Sequence, residues 1–188
     1  PARRSTAPLR ARGAVAVVRR SKIRTTRLGR VAVAAALPAE GSAEGIVEGL
    51  YRWAEAPALA GAPRATILFS GSAQGAARLA QAELAERWGV AAELWSATSY
   101  KRLREQAMEA ERWNRLHPGE TPRSARVTDL LATSTGPVAA VTDFMRAVPD
   151  QIARWVPAGR RFTSLGTDGF GRSDTREALR RYFETDAA

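Results

Sequence analysis

Four short apolar runs, each too far from the next to be joined by a hairpin, constrain this chain more than any other feature. They fall at residues 65–69, 90–95, 137–141 and 161–165, and the stretches between them carry helical spacing. Within 74–88, Ala77, Ala80, Leu84 and Trp88 recur on one face, and Gly89, tolerant of positive φ, closes the helix. Further helices are expected at 100–113, 126–132, 145–155 around Pro149, and 175–183. A first helix at 43–54 is expected to bring Ile46, Leu50, Tyr51 and Ala54 together. Parallel strands cannot be linked by tight turns, so strands alternating with helices predict an α/β fold: a mostly parallel sheet with helices on both faces. Such a sheet binds ligands or partners at the C-terminal ends of its strands.

Length and composition narrow the class. A chain of 188 residues fits one domain. The absence of cysteine removes disulfides, thiolate metal sites and cysteine nucleophiles together. No apolar run approaches the length of a membrane span, so no membrane association is expected, and the lack of cysteine to staple a secreted scaffold makes a cytoplasmic location the simplest expectation. The net charge of +10 suggests a nucleic-acid partner until its distribution is read. Residues 1–30 hold ten basic residues and no acidic one, leaving nineteen of each sign over 31–188. The body is neutral, and no nucleic-acid partner is expected for it. The sequence divides into a basic, disordered tail at 1–36, with no periodic apolar face, and an α/β domain at 37–188. The tail could be an organellar transit peptide or a basic arm for an acidic partner; a misplaced start or a fragment boundary is the simpler expectation.

Three places could carry chemistry. Phe69-Ser70-Gly71-Ser72-Ala73-Gln74-Gly75 lies between a strand and a helix, where free N–H groups favour an anion. It lacks full dinucleotide spacing, so a plain tight turn competes with a phosphate cradle. His117, the sole histidine, has the one side chain suited to acid–base work near neutrality, against the reading of a structural loop residue. The stretch from Thr167 through Asp168, Phe170, Arg172, Ser173 and Asp174 to Glu177 leaves a strand and opens a helix. Asp174 and Glu177 have capping-box spacing, with Asp174 expected to accept from the N–H of Arg176 or Glu177. The same stretch also lies on the ligand or partner edge.

These residues carry a resemblance. Glu111-Arg112-Trp113-Asn114 with Leu116-His117-Pro118, Glu120-Thr121-Pro122-Arg123, Thr142-Asp143-Phe144-Met145, and above all Leu165-Gly166-Thr167-Asp168-Gly169-Phe170-Gly171-Arg172-Ser173-Asp174 occur in order. Together with Trp95-Ser96-Ala97-Thr98-Ser99-Tyr100 they resemble the C-terminal domain of homodimeric pyruvate dehydrogenases. The resemblance implies a transketolase C-terminal domain-like fold and a homodimeric oxidoreductase. In that family thiamine diphosphate with magnesium decarboxylates pyruvate, and the acetyl unit passes to the lipoyl group of a dihydrolipoyl acyltransferase.

It also implies that no catalytic, cofactor-binding or metal-binding residue lies in this chain. The family holds magnesium and diphosphate through a G-D-G motif, and only Thr167-Asp168-Gly169 approaches it here. The roles left are subunit contact and framing of the active-site entrance, for which His117, Asp168, Phe170, Arg172, Ser173 and Asp174 are the candidates. Relatives are expected to continue into a further apolar helix, which would leave one sheet face of this chain uncovered. A free-standing Rossmann-like module for a small anion or a protein is the alternative. Deleting residues 1–36 is expected to leave the denaturation midpoint nearly unchanged, since a tail without a buried face makes few native contacts. Strong hydrogen-exchange protection at 14–18 would contradict that.

Overall fold

The structure is a computed structural model that describes residues 42–187. The basic tail and the expected domain start at residue 37 lie outside that range. The elements run α1 (Ser42–Glu48), β1 (Leu50–Ala54), β2 (Arg64–Phe69), α2 (Gln74–Trp88), β3 (Ala91–Ala97), α3 (Tyr100–Leu116), α4 (Arg126–Leu131), β4 (Val138–Val141), α5 (Ala147–Asp150), β5 (Phe162–Leu165) and α6 (Arg176–Tyr182).

The sheet has the order β1-β3-β2-β4-β5. The four strands anticipated from the apolar runs form its parallel part, β2 pairing with β3 on one edge and β4 on the other, and β4 with β5. The fifth strand corrects the sequence reading. Residues 43–54 are not one helix: α1 ends at Gly49, whose φ of +100° reverses the chain, and β1 runs antiparallel to β3. Leu50 and Tyr51 fit either period, and Tyr51 and Trp53 are aromatic residues that favour a pleated edge. Close packing of helix against strand needs a glycine on the helix, since a Cβ on Gly45 would stand 2.7 Å from that of Tyr51. An antiparallel edge strand on an otherwise parallel sheet is a common arrangement.

A second correction concerns 145–155. Pro149 supplies no N–H, and the segment breaks into the four-residue α5 and a single 3₁₀ turn at Ala153–Trp155. Both carry residues inward, Pro149 of α5 and Trp155 of the turn being buried, with Ile152 buried between them.

Helices lie on both faces. On one, Leu68, Trp95, Val138 and Ala140 of the sheet meet Leu103 and Ala107 of α3, Val127 and Leu131 of α4, and Ile152 and Trp155. On the other, Ile67, Phe69, Leu94 and Val141 meet Ala73 and Ala77 around α2. The helix face expected from Ala77 to Trp88 is therefore only half covered: Ala77 is buried, yet Trp88 is 72% exposed. Beside it an apolar groove of about 500 Å³ opens between α2 and β5, lined by Ile67, Leu84, Trp88, Val141 and Leu165 and bordered by Asp186 and Ala187.

At the opposite ends of the strands one arginine ties the turns together. Arg160 donates to the carbonyl of Gly136 at 2.7 Å, to that of Thr135 at 3.2 Å and to Thr66 Oγ1 at 2.7 Å, and Thr66 in turn donates to the buried Glu93 at 2.9 Å. The chain passes so close to β2 there that a Cβ on Gly136 would meet the Arg64 carbonyl oxygen at 1.8 Å, with φ at +78°. Gly61 has a similar φ of +68° and open space around it. Gly61→Ala is expected to cost roughly 1–2 kcal/mol from left-handed strain alone. Gly136→Ala adds overpacking to that strain and is expected to cost about 3 kcal/mol or more. Urea denaturation of the two variants compares them, and equal losses would show that the strand yields at Gly136.

Candidate functional site

The C-terminal ends of the parallel strands converge on one edge, and their loops are bound to each other by side chains. After β2 the chain turns at Ser70-Gly71-Ser72 through a 3₁₀ turn into α2, with Gly71 at φ +55°. Ser70 N donates to the carbonyl of Val141 at 3.2 Å, and its hydroxyl to Thr142 Oγ1 at 2.8 Å, both side chains buried. Thr142 Oγ1 also accepts from Phe144 N at 3.1 Å, which shapes the loop after β4. Ser72 Oγ donates to Asp143. From α6, Arg180 reaches back to donate to the Ser72 carbonyl at 2.8 Å and lies 3.5 Å from the Asp143 carboxylate.

The loop after β5 is clamped in the same way. Gly166 lies so near the preceding loop that a Cβ there would be 2.5 Å from the Phe144 carbonyl oxygen. Thr167 Oγ1 donates to the Asp143 carbonyl at 2.6 Å. Asp168 accepts twice from Arg146, from the backbone N–H at 2.9 Å and from Nε at 2.6 Å. The Arg146 hydrogen bonds hold the Asp168 carboxyl below its ordinary range. Beyond this clamp the chain stands clear of the domain, with Gly169 at φ +90° and the Phe170 ring 96% exposed. Arg172 stacks its guanidinium 4.3 Å from the Tyr182 ring centroid, and Ser173 and Asp174 are exposed.

The last helix corrects the expected cap. Thr175 is the N-cap, its hydroxyl accepting from Ala178 N at 3.3 Å, while Asp174 accepts from Thr175 N at 2.6 Å. The helix begins one residue later than the Asp174–Glu177 spacing suggests. Glu177 therefore stands one position short of where a capping box needs its carboxylate.

Asp168, Phe170, Arg172, Ser173 and Asp174 thus share one loop on the strand C-terminal edge. His117 does not join them. It caps α3, which starts just after the C-terminal end of β3 and runs back along the sheet for 17 residues, about 25 Å. There its Nδ1 lies 2.8 Å from the Trp113 carbonyl, and its ring stacks on Trp113 at 4.4 Å. The Arg123 guanidinium also lies over the Trp113 ring, at 4.0 Å. Nearby, Glu111 accepts from Trp155 Nε1 at 2.8 Å and Arg154 at 2.6 Å, which hold its carboxyl down and tie α3 to the 3₁₀ turn.

Ser72 lies in the turn weighed as a phosphate cradle and Asp143 in one of the segments that carry the resemblance, whereas Arg146 and Arg180 were not singled out from the sequence. Asp143 could have been found as the first charge after an apolar strand. Nothing local marks Arg180, which belongs to the site through contacts with Asp143 and with Ser72, the latter 108 residues distant in sequence.

The family model for the transketolase-like TK C-terminal domain matches residues 49–186. This chain belongs to that family. It is 48% identical over 144 residues to the pyruvate dehydrogenase E1 component of Mycolicibacterium smegmatis, covering 77% of this chain and 15% of the relative. Against the same component of Cupriavidus necator it is 44% identical over 146 residues, 78% of this chain and 16% of the relative. Against that of Escherichia coli it is 40% identical over 149 residues, 79% and 16%. The chain therefore spans about a sixth of the length of the curated relatives it matches. The α/β fold with its mostly parallel sheet accords with this membership.

The stretch that approaches a G-D-G motif does not offer a magnesium ligand. Asp168, in the one stretch that approaches a G-D-G motif, has its carboxylate engaged by Arg146 and not turned toward a metal. Its chemistry is that of a loop anchor. Because its folded pKa is depressed, the anchor contributes stability above the ordinary carboxylate pKa and loses it as pH falls through the lowered folded value. Asp168→Asn is expected to be modestly less stable than the parent near neutrality, with the difference vanishing in acid. Denaturant midpoints over a pH series test this, and a pH-independent gap would mean that the charge contributes nothing.

Proposed function

We propose that this chain supplies the C-terminal domain of a pyruvate dehydrogenase E1 component. That enzyme decarboxylates pyruvate with thiamine diphosphate and magnesium and passes the acetyl unit to a dihydrolipoyl acyltransferase. The 40–48% identity to E1 components over more than three quarters of the chain carries the proposal.

In this reading the domain acts by contact and positioning, as part of a cytoplasmic homodimer. The loop around Phe170 suits that role physically. Its base is fixed by the Asp168–Arg146 clamp and the Thr167–Asp143 bond, while its tip projects an aromatic ring into solvent. A rigid stem bearing an exposed aromatic side chain loses little conformational entropy when a partner surface covers it. Phe144 at 62% and Met145 at 57% exposure widen the apolar surface on the same edge. Phe170, Arg172, Ser173 and Asp174 are proposed to meet the rest of the enzyme at the dimer contact or the active-site entrance, with Asp168 holding the loop in place. His117, at the far end of α3, is proposed only as a surface contact.

Two measurements test this reading. Replacing the matching segment of the Escherichia coli E1 component by this domain is expected to leave a dimer whose pyruvate turnover falls no more than about tenfold, or ~1.4 kcal/mol. A chimera that folds and dimerises but does not turn over would overturn the proposal. The isolated chain is expected to give no heat on calorimetric titration with thiamine diphosphate and magnesium, whereas saturable binding would contradict the assigned division of labour.

A further inference from the structure

Asp168-Gly169 is the only Asp-Gly or Asn-Gly pair in the sequence, and it falls at the foot of the exposed loop after β5. The carboxyl of an aspartate can be attacked by the backbone nitrogen of the next residue, which closes a five-membered ring. Closure needs a free nitrogen, a following residue that is unhindered and conformationally loose, and a carboxyl able to swing onto it. The first two conditions are met here. Gly169 N donates to no backbone carbonyl among the described residues, and Gly169 lies outside any helix or strand. A Cβ built on it would have nothing within 4 Å, and a glycine at φ +90° can change its dihedral angles at little steric cost.

The third condition depends on Arg146. Asp168 Oδ1 accepts from Arg146 N at 2.9 Å and Oδ2 from Arg146 Nε at 2.6 Å, so both carboxylate oxygens are held on the preceding loop, away from free rotation. The pair is exposed, with 57% of the Arg146 side chain and 42% of that of Asp168 accessible. Exposed ion pairs are weak, so this one opens often.

We infer that Asp168-Gly169 is a site of spontaneous isomerisation to isoaspartate, with Arg146 as the latch that sets its rate. In the first step Gly169 N bonds to Asp168 Cγ, the Cγ–OH bond breaks, and the N–H proton leaves with the hydroxyl as water. Water then opens the succinimide. Addition at Cγ restores aspartate, whereas addition at the main-chain carbonyl carbon of Asp168 routes the chain through Cβ and Cγ and leaves the carboxylate on Cα. The hydroxyl that departs belongs to the protonated carboxyl, and the Arg146 hydrogen bonds, which hold that carboxyl below its ordinary range, thin out this form. The latch therefore acts through geometry and through protonation together. Once formed, isoaspartate lengthens the main chain by one carbon and shortens the arm that bore the carboxylate, so the clamp to Arg146 is not restored. The tip carrying Phe170, 96% exposed, then loses its fixed stem.

The test is ageing of the 188-residue chain in warm neutral buffer, with an identical sample in guanidinium chloride, where the latch is absent. Isoaspartate is located by electron-transfer fragmentation and counted by enzymatic methyl transfer from S-adenosylmethionine. It is expected at Asp168 ahead of Asp129, Asp143, Asp150, Asp174 and Asp186, about threefold or more slowly in the folded than in the denatured chain. Arg146→Gln, shown to be folded by circular dichroism, is expected to lose most of that protection and to age like the parent in denaturant. Asp168→Glu, which would require a six-membered ring, is expected to show no such product at this position. The comparison of folded with denatured parent needs no variant and stands even if Arg146→Gln does not fold. Absence of isoaspartate at Asp168 in the folded parent, equal rates for folded and denatured parent, or equal rates for the folded parent and folded Arg146→Gln would overturn the inference.

Discussion

Strand β2 is hydrogen-bonded to a parallel partner on each side, and most of the architecture follows from that. Neither edge of β2 is free, so its neighbours must be reached by crossovers, and crossovers between parallel strands are right-handed. The direction in which the chain moves across the sheet then decides which face each helix covers. Moving from β2 to β3 places α2 on one face. Returning past β2 to β4, and on to β5, places α3, α4 and the segment around Pro149 on the other. The strand C-terminal loops meet where these two directions part, and the contacts among Ser70, Thr142, Ser72, Asp143 and Arg180 are the local result.

Much of this was legible because apolar runs and helical spacing are local signals. The four parallel strands, α2 with its Gly89 terminus at φ +60°, and α3 all lie close to where periodicity puts them. The failures share a cause: tertiary context chose between local options that are nearly equal. Leu50 and Tyr51 suit a helix or a strand, and pairing with Ala97 and Ser96 decides for the strand. Asp174 and Thr175 both make good caps, and a shift of one residue gives the position to Thr175. Trp88 keeps helical phase with Ala77 but lines the groove beside α2, where no other described element covers it.

The candidate site was legible to a smaller degree. The loop from Asp168 to Asp174 stands out because two glycines and a run of polar residues follow a strand, a local pattern. Its anchoring was not visible, since the Arg146–Asp168 clamp joins residues 22 apart and the Arg180–Ser72 contact spans most of the domain. His117 stands out in the sequence by chemical rarity and by its place in the Leu116-His117-Pro118 segment of the resemblance. Its surroundings, a tryptophan ring on one side and a main-chain carbonyl at Nδ1, are those of a helix terminus fixed by stacking.

The open groove beside α2 bears on how such a domain behaves as a solute. With Trp88 exposed and Leu84 and Leu165 half-buried along a groove floored by Ile67 and Val141, the described residues present a contiguous apolar strip instead of scattered apolar atoms. Strips of that kind find one another, so self-association at high protein concentration competes with remaining monomeric.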